Sequence, residues 1–118
     1  MDIIEFRDYC LSKAGTTEEF PFDNKTLVFK VIGKMYALCD VDNFKSYNVK
    51  CDPDWAIELR EEFNGIKEGF HMNKKHWNTV NSISDVDDKL AIKMIDHSYS
   101  LVVKGLKKLD REKLLKDA

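Results

Sequence analysis

At 118 residues, 43% of them hydrophobic and 34% charged, the chain has the make-up of one globular domain that buries roughly two-thirds of its unfolded surface. That composition excludes a fibrous or disordered chain, and apolar runs of no more than about five residues exclude a membrane-spanning helix. The net charge of −2 speaks against non-specific nucleic-acid binding by the whole surface. Its placement is uneven, however: residues 1–24 hold six acids against two bases, and residues 104–116 hold six bases against two acids. The basic stretch is either a solvated helix face or an electrostatic contact surface. Met1-Asp2-Ile3-Ile4-Glu5 opens with an acid where a signal peptide carries Lys or Arg, which predicts a cytoplasmic protein. Cys10, Cys39 and Cys51, an odd number without C-x-x-C spacing, are expected to be reduced and buried.

In chain order, Asp2 and Glu5 predict a capped helix over residues 3–13, with Ile3, Phe6 and Cys10 at helical spacing and Gly15 as its C′ residue. Thr16 to Lys25, with Pro21, reads as loop. Leu27, Phe29 and Val31 alternate with Val28 and Lys30, a strand that turns at Gly33-Lys34 into a second, Met35–Cys39. Tyr47, Val49 and Cys51 form a third strand after the polar turn at Asp42-Asn43. Asp52-Pro53-Asp54 is a helix start, and Trp55, Leu59 and Phe63 then share one face until Asn64-Gly65. Two short β-like pieces follow, Phe70–Met72 and Trp77–Val80. Ser84 with Asp87 opens the next helix, striped by Leu90, Met94 and Leu101, and a short last helix carries Leu109, Leu114 and Leu115. The order α-β-β-β-α-β-β-α-α predicts a single α+β domain in two layers, an antiparallel sheet packed against helices.

Chemistry-bearing residues concentrate in Gly69-Phe70-His71-Met72-Asn73-Lys74-Lys75-His76-Trp77-Asn78-Thr79-Val80. His71 and His76 are spaced wrongly for a metal pair: about 140° apart on a helix, and on opposite faces of a strand. No Cys, Asp or Glu close in sequence completes a zinc set, so no metal is expected. A nucleophile would need Cys39 or Cys51 brought to one of these histidines, and both cysteines fall on an apolar alternation instead. The five glycines are isolated, which excludes the common phosphate loops, and no cofactor is expected. Two readings of the stretch stay open. In one, Lys74, Lys75 and Lys50 meet phosphates, Asn73 and Asn78 reach bases or sugar, and Trp77 stacks. In the other, Trp77 is core, His76 caps a turn and the lysines are solvated. Trp55, with Leu59 and Phe63, reads as core, and Asp85, Asp87 and Asp88 read as charges suited to a helix start.

Lys50-Cys51-Asp52-Pro53, Glu58-Leu59-Arg60, the Gly69–Val80 stretch with its central H-x-N-K-x-H-W, and Ile95-Asp96-His97-Ser98-Tyr99 together resemble the YjbR/MmcQ family of small bacterial proteins. The match is collinear over nearly the whole chain. The resemblance implies a compact α+β fold with an antiparallel sheet, similar in outline to secretion-chaperone-like folds. It also implies DNA binding, with β-hairpins as the contacting parts of a winged arrangement. By position, its motif residues are His71, Asn73, Lys74, His76 and Trp77, with Lys50 and Asp52 upstream, and it brings no catalytic residue. Three functions are therefore expected in order. The first is a non-enzymatic nucleic-acid-binding module using Lys50, Asn73, Lys74, Lys75, His76 and Trp77. The second is a protein-interaction or chaperone-like module, or a homodimer, marked by an uncovered apolar patch. The third is a small-molecule site or enzyme around His71 and His76, which requires one concave pocket holding both imidazoles.

Overall fold

Among the described residues, 1–117 of a computed structural model, four helices and six strands follow one another. They are α1 (Ile3–Leu11), β1 (Thr16–Glu19), β2 (Thr26–Val31), β3 (Lys34–Asp40), β4 (Ser46–Lys50), α2 (Pro53–Glu62), β5 (Ile66–Glu68), β6 (Trp77–Asn81), α3 (Asp88–Lys104) and α4 (Lys108–Asp117). The strands make one antiparallel sheet in the order β1-β2-β3-β4-β6-β5. The fold is the two-layer α+β arrangement, with one strand more than the hydrophobic alternation predicts.

Local signals account for most boundaries. Asp2 accepts the Glu5 N–H and Glu5 accepts the Asp2 N–H, a complete capping box. The helix stops at Leu11 with Ser12 as its C-cap, earlier than expected. Gly15 is therefore not its C′ residue. At φ +72° it turns the chain into β1, beneath Leu114 of α4, which leaves no room for a Cβ. Ile32 and Gly33, both at positive φ, make the two-residue turn between β2 and β3. Asp52 caps α2 through the Asp54 and Trp55 N–H groups, with Pro53 in the first turn.

Three further expectations differ from the structure. Residues 16–19 are a strand rather than loop, held by pairing with β2 and by Arg7, whose guanidinium donates to both carboxylate oxygens of Glu18. Phe70–Met72 is not a strand: β5 is Ile66–Glu68, and the later residues form a turn in which His71 takes φ +59°. The cap of α3 is Asp87, which accepts the Leu90 N–H, and not Ser84. Ser84 donates to Asn81 O instead, while Asp85 accepts the N–H groups of Asn64 and Gly65.

Helices cover one face of the sheet. α3 lies along β3 and β4, with α1 beside β1 and α2 beside β5, over a core that includes Phe6, Phe29, Tyr47, Met94 and Ile95. A bulge skips Tyr36 between the Phe29–Ala37 and Lys30–Met35 pairs, so Tyr36 and Ala37 both join this core. Four consecutive residues of α3 fasten it to the rest of the fold. Asp96 accepts the Tyr9 hydroxyl and pairs with Lys13, and His97 Nε2 accepts the Asp52 N–H at 3.0 Å. Ser98 Oγ donates to Tyr36 O and accepts the Lys50 N–H at 2.8 Å, and the Tyr99 hydroxyl donates to Ala14 O. Among the described residues the other face of the sheet has no helix, only a small cluster of Val28, Leu38 and Trp77 with Met35 and Met72.

Candidate binding groove on the outer sheet face

The β5–β6 connection, residues 69–76, folds back over that bare face and is held by its own polar groups. Gly69 donates its N–H to Trp77 O at 2.8 Å, and a Cβ on Gly69 would lie 2.7 Å from the Trp77 Cβ, so only glycine fits without displacement. Asn73 Oδ1 accepts the N–H groups of Lys75 and His76 at 3.0 and 3.2 Å. Lys74 Nζ donates to Gly69 O, and Arg60 donates to Lys74 O. His76 O accepts the Cys51 N–H. Phe70 N–H donates to Thr79 Oγ1, which donates in turn to Asn48 Oδ1 at 2.6 Å.

Most of the residues picked out as nucleic-acid contacts are thus occupied in building this turn. Trp77 is 7% exposed and packed with Val28, Leu38, Met35 and Met72, so it is core and its indole cannot serve as a stacking platform. Asn78 is fully buried on the helix side, with Nδ2 facing Ala56 O and Oδ1 unpartnered, which removes it from any base or sugar. His76 is half-buried, and Asn73 and Lys74 are exposed but committed to the turn. Lys75 is exposed, while half-buried Lys50 pairs with Trp77 across the β4–β6 ladder. Among the described residues no three His, Cys, Asp or Glu side chains come together. Burial pushes the thiols up, Cys39 and Cys51 to about 12, so they stay protonated. Both belong to the helix-side core cluster; Cys51 does not line the groove that holds His71, and Cys39 borders it while only 3% exposed.

What the turn builds is a wall. Phe70, His71 and Met72 stand along one side of a groove of about 580 Å³, and Phe22, on the β1–β2 loop, stands opposite. Phe22 and Phe70 are 66% and 68% exposed. The floor is Leu38 and Asn48, cross-strand partners in the outward row of the sheet, which Val28 and Thr79 continue on either side. Thr26, Asp40 and Ser46 close one end. Asp40 is the one charged side chain among the described lining residues, and His76 is not among them. The groove therefore does not bring the two imidazoles together. Residue-by-residue reading misses Phe22, Leu38, Asp40 and Asn48. A signal was present: Leu27-Val28-Phe29 and Tyr36-Ala37-Leu38-Cys39 are apolar at both parities, which a sheet bare on one face does not require.

Both walls, the floor and the Asp96–Tyr99 string lie within residues 11–101, the span matched by the YjbR family model. The chain belongs to the YjbR family. It is 30% identical over 116 residues to the Escherichia coli K12 protein YjbR, covering 98% of each chain. It is 34% identical over 96 residues to YbdF of Escherichia coli O157:H7, covering 80% of this chain and 79% of that one. Among solved structures, the DUF419-domain protein DR2400 of Deinococcus radiodurans superposes with a TM-score of 0.88 at 39% identity, over 95% of this chain and 86% of that one. A Pseudomonas syringae protein gives a TM-score of 0.72 at 28% identity, over 86% and 98%. In this chain the outer groove and the fastened α3 lie within the one span that the YjbR family model matches. Among its described residues no helix is long and apolar enough to cross a membrane.

Proposed function

We propose that this YjbR-family chain is a non-catalytic binding module whose outer groove receives a segment of a partner protein. One observation carries the reading: two exposed phenylalanines from separate loops line one concave groove, with Leu38 and Met72, on a sheet face that no helix covers among the described residues. Uncovered apolar surface of this kind marks interaction sites, and the groove's volume lies within the range of roughly 300–1,000 Å³ usual for ligand sites. Against catalysis stand the protonated, inward thiols and the separation of Cys51 from His71. The test is selection from a displayed random peptide library on the wild-type protein and on a Phe22→Ala/Phe70→Ala variant, followed by NMR mapping of a selected peptide. Selected peptides should shift the amides of Leu38, Asn48 and Phe70 and lose affinity for the variant at least tenfold. Equal binding to both proteins, or shifts on the helix face, would overturn the reading.

A nucleic-acid contact is a second reading, favoured by a separate observation. Lys34 and Lys50 border a shallow groove with Trp77, Gly105 and Leu106, so Lys104 and Lys107, next in chain to the last two, gather at the same end of the sheet. With Trp77 buried, this reading rests on charge. If four lysines meet phosphates, affinity for duplex DNA should fall roughly a hundredfold between about 50 and 200 mM salt. Lys34→Glu/Lys50→Glu should abolish binding, and no binding by the wild type at the lower salt removes the reading.

A further inference from the structure

Resting on the groove reading, we propose that the captured segment is cationic as well as apolar: an aromatic or aliphatic side chain sits between Phe22 and Phe70, and a neighbouring Lys or Arg meets Asp40. Asp40 ends β3 at one end of the groove, where one of its oxygens accepts the Asp42 N–H at 2.8 Å. That bond orients the carboxylate and leaves acceptor sites for an incoming ammonium or guanidinium. Around it, Asp23 is fixed by the N–H groups of Lys25 and Thr26, and Asp42 pairs loosely with Lys25 at 3.8 Å. Three carboxylates thus stand at this mouth against Lys25 and Lys45, and no lysine or arginine is among the described lining residues. A phosphate-bearing or acidic occupant would meet no cation among the described lining residues: Lys25 pairs with Asp42 at the mouth, and Lys34 and Lys50 lie at the other end of strands β3 and β4.

The mode of capture follows from the sheet. β2, β3, β4 and β6 each have a partner strand on both sides, so an occupant cannot extend the ladder there. It is held by side chains, and specificity rests on the apolar clamp and on the charge at one end of it.

Three fluorescein-labelled hexapeptides sharing a Leu-Phe core, flanked by Lys, Gln or Glu, provide the test by fluorescence anisotropy. Wild type should bind the Lys peptide roughly three- to fivefold more tightly than the Gln peptide, the size of a partly exposed ion pair, with the Glu peptide weakest. Asp40→Asn keeps an acceptor for the Asp42 N–H and should erase the preference for Lys while leaving the Gln peptide unchanged. A Lys preference that survives Asp40→Asn, or a Glu peptide that binds as well as the Lys peptide, overturns the inference. Equal binding of all three that still depends on Phe22 and Phe70 overturns it but leaves the groove reading standing. Binding indifferent to both phenylalanines removes the groove reading itself.

Discussion

Ser98→Ala is the sharpest test of how α3 is joined to the sheet. The hydroxyl is fully buried and sits where the β3–β4 ladder gives out: Ala37 still pairs with Val49, but the bulge at Tyr36 takes the next residues out of register. Ser98 spans the break, donating to Tyr36 O and accepting from Lys50 N–H. Alanine leaves one acceptor and one donor buried without partners, at roughly 1–3 kcal/mol each. A water replacing a single oxygen atom has little room, so a total of about 2–5 kcal/mol is expected. For a domain of this size that corresponds to a Tm lowered by roughly 8–20 °C. Urea melts followed by tryptophan fluorescence measure the loss, and amide exchange should quicken at Lys50. Exposed Ser100→Ala serves as the control, expected within about 0.5 kcal/mol of wild type. A loss for Ser98→Ala no larger than the control's would refute the bridging role.

Other consequences follow from the same geometry. His97 accepts the Asp52 N–H and must be neutral to do so; burial, with Lys104 nearby, holds its pKa below the usual 6.5 against the opposing pull of Asp52. The unfolded chain therefore takes up the proton first, and stability should fall as pH drops below about 6.5. His97→Gln should flatten that acid limb in urea melts. Trp77→Ala should cost about 3–5 kcal/mol as a core truncation, and Gly69→Ala about 1–3 kcal/mol because its Cβ meets Trp77, both by chemical denaturation. Phe22→Ala and Phe70→Ala should each change stability by less than about 0.5 kcal/mol, which separates a contact residue from a core one. Cys10, Cys39 and Cys51 should react with a thiol reagent only as the protein unfolds, and fast labelling in native buffer would contradict their burial.

How much of this was legible depended on range. The start of α2 could be read because Asp52, Pro53 and Asp54 act on N–H groups within three residues. The β2–β3 turn was equally local. β1 escaped because Thr-Thr-Glu-Glu carries no apolar alternation and its support, Arg7 and Lys30, comes from neighbouring elements. Ser84 and Asp87 are both good caps by type. Asp87 is the one that caps the helix, while Asp85 before it is held by the amides of Asn64 and Gly65, a contact no local pattern records. Phe22 and Phe70 belong to separate loops, and only the fold of the 69–76 turn over the sheet brings them to one groove.

That turn also explains why its polar residues read so readily as a contact surface. A loop laid back over a sheet takes backbone groups away from water, and each then needs a partner. Asn73, Lys74, Arg60 and Thr79 supply them. The concentration of polar side chains around Trp77 is therefore what a fixed wall demands, with the indole as the apolar base on which the wall rests. A wall already ordered before a ligand arrives loses less conformational entropy on binding than a mobile one. On this view the polar residues act on the ligand only through Phe70, His71 and Met72, and the surface that touches it is the least polar part of the string.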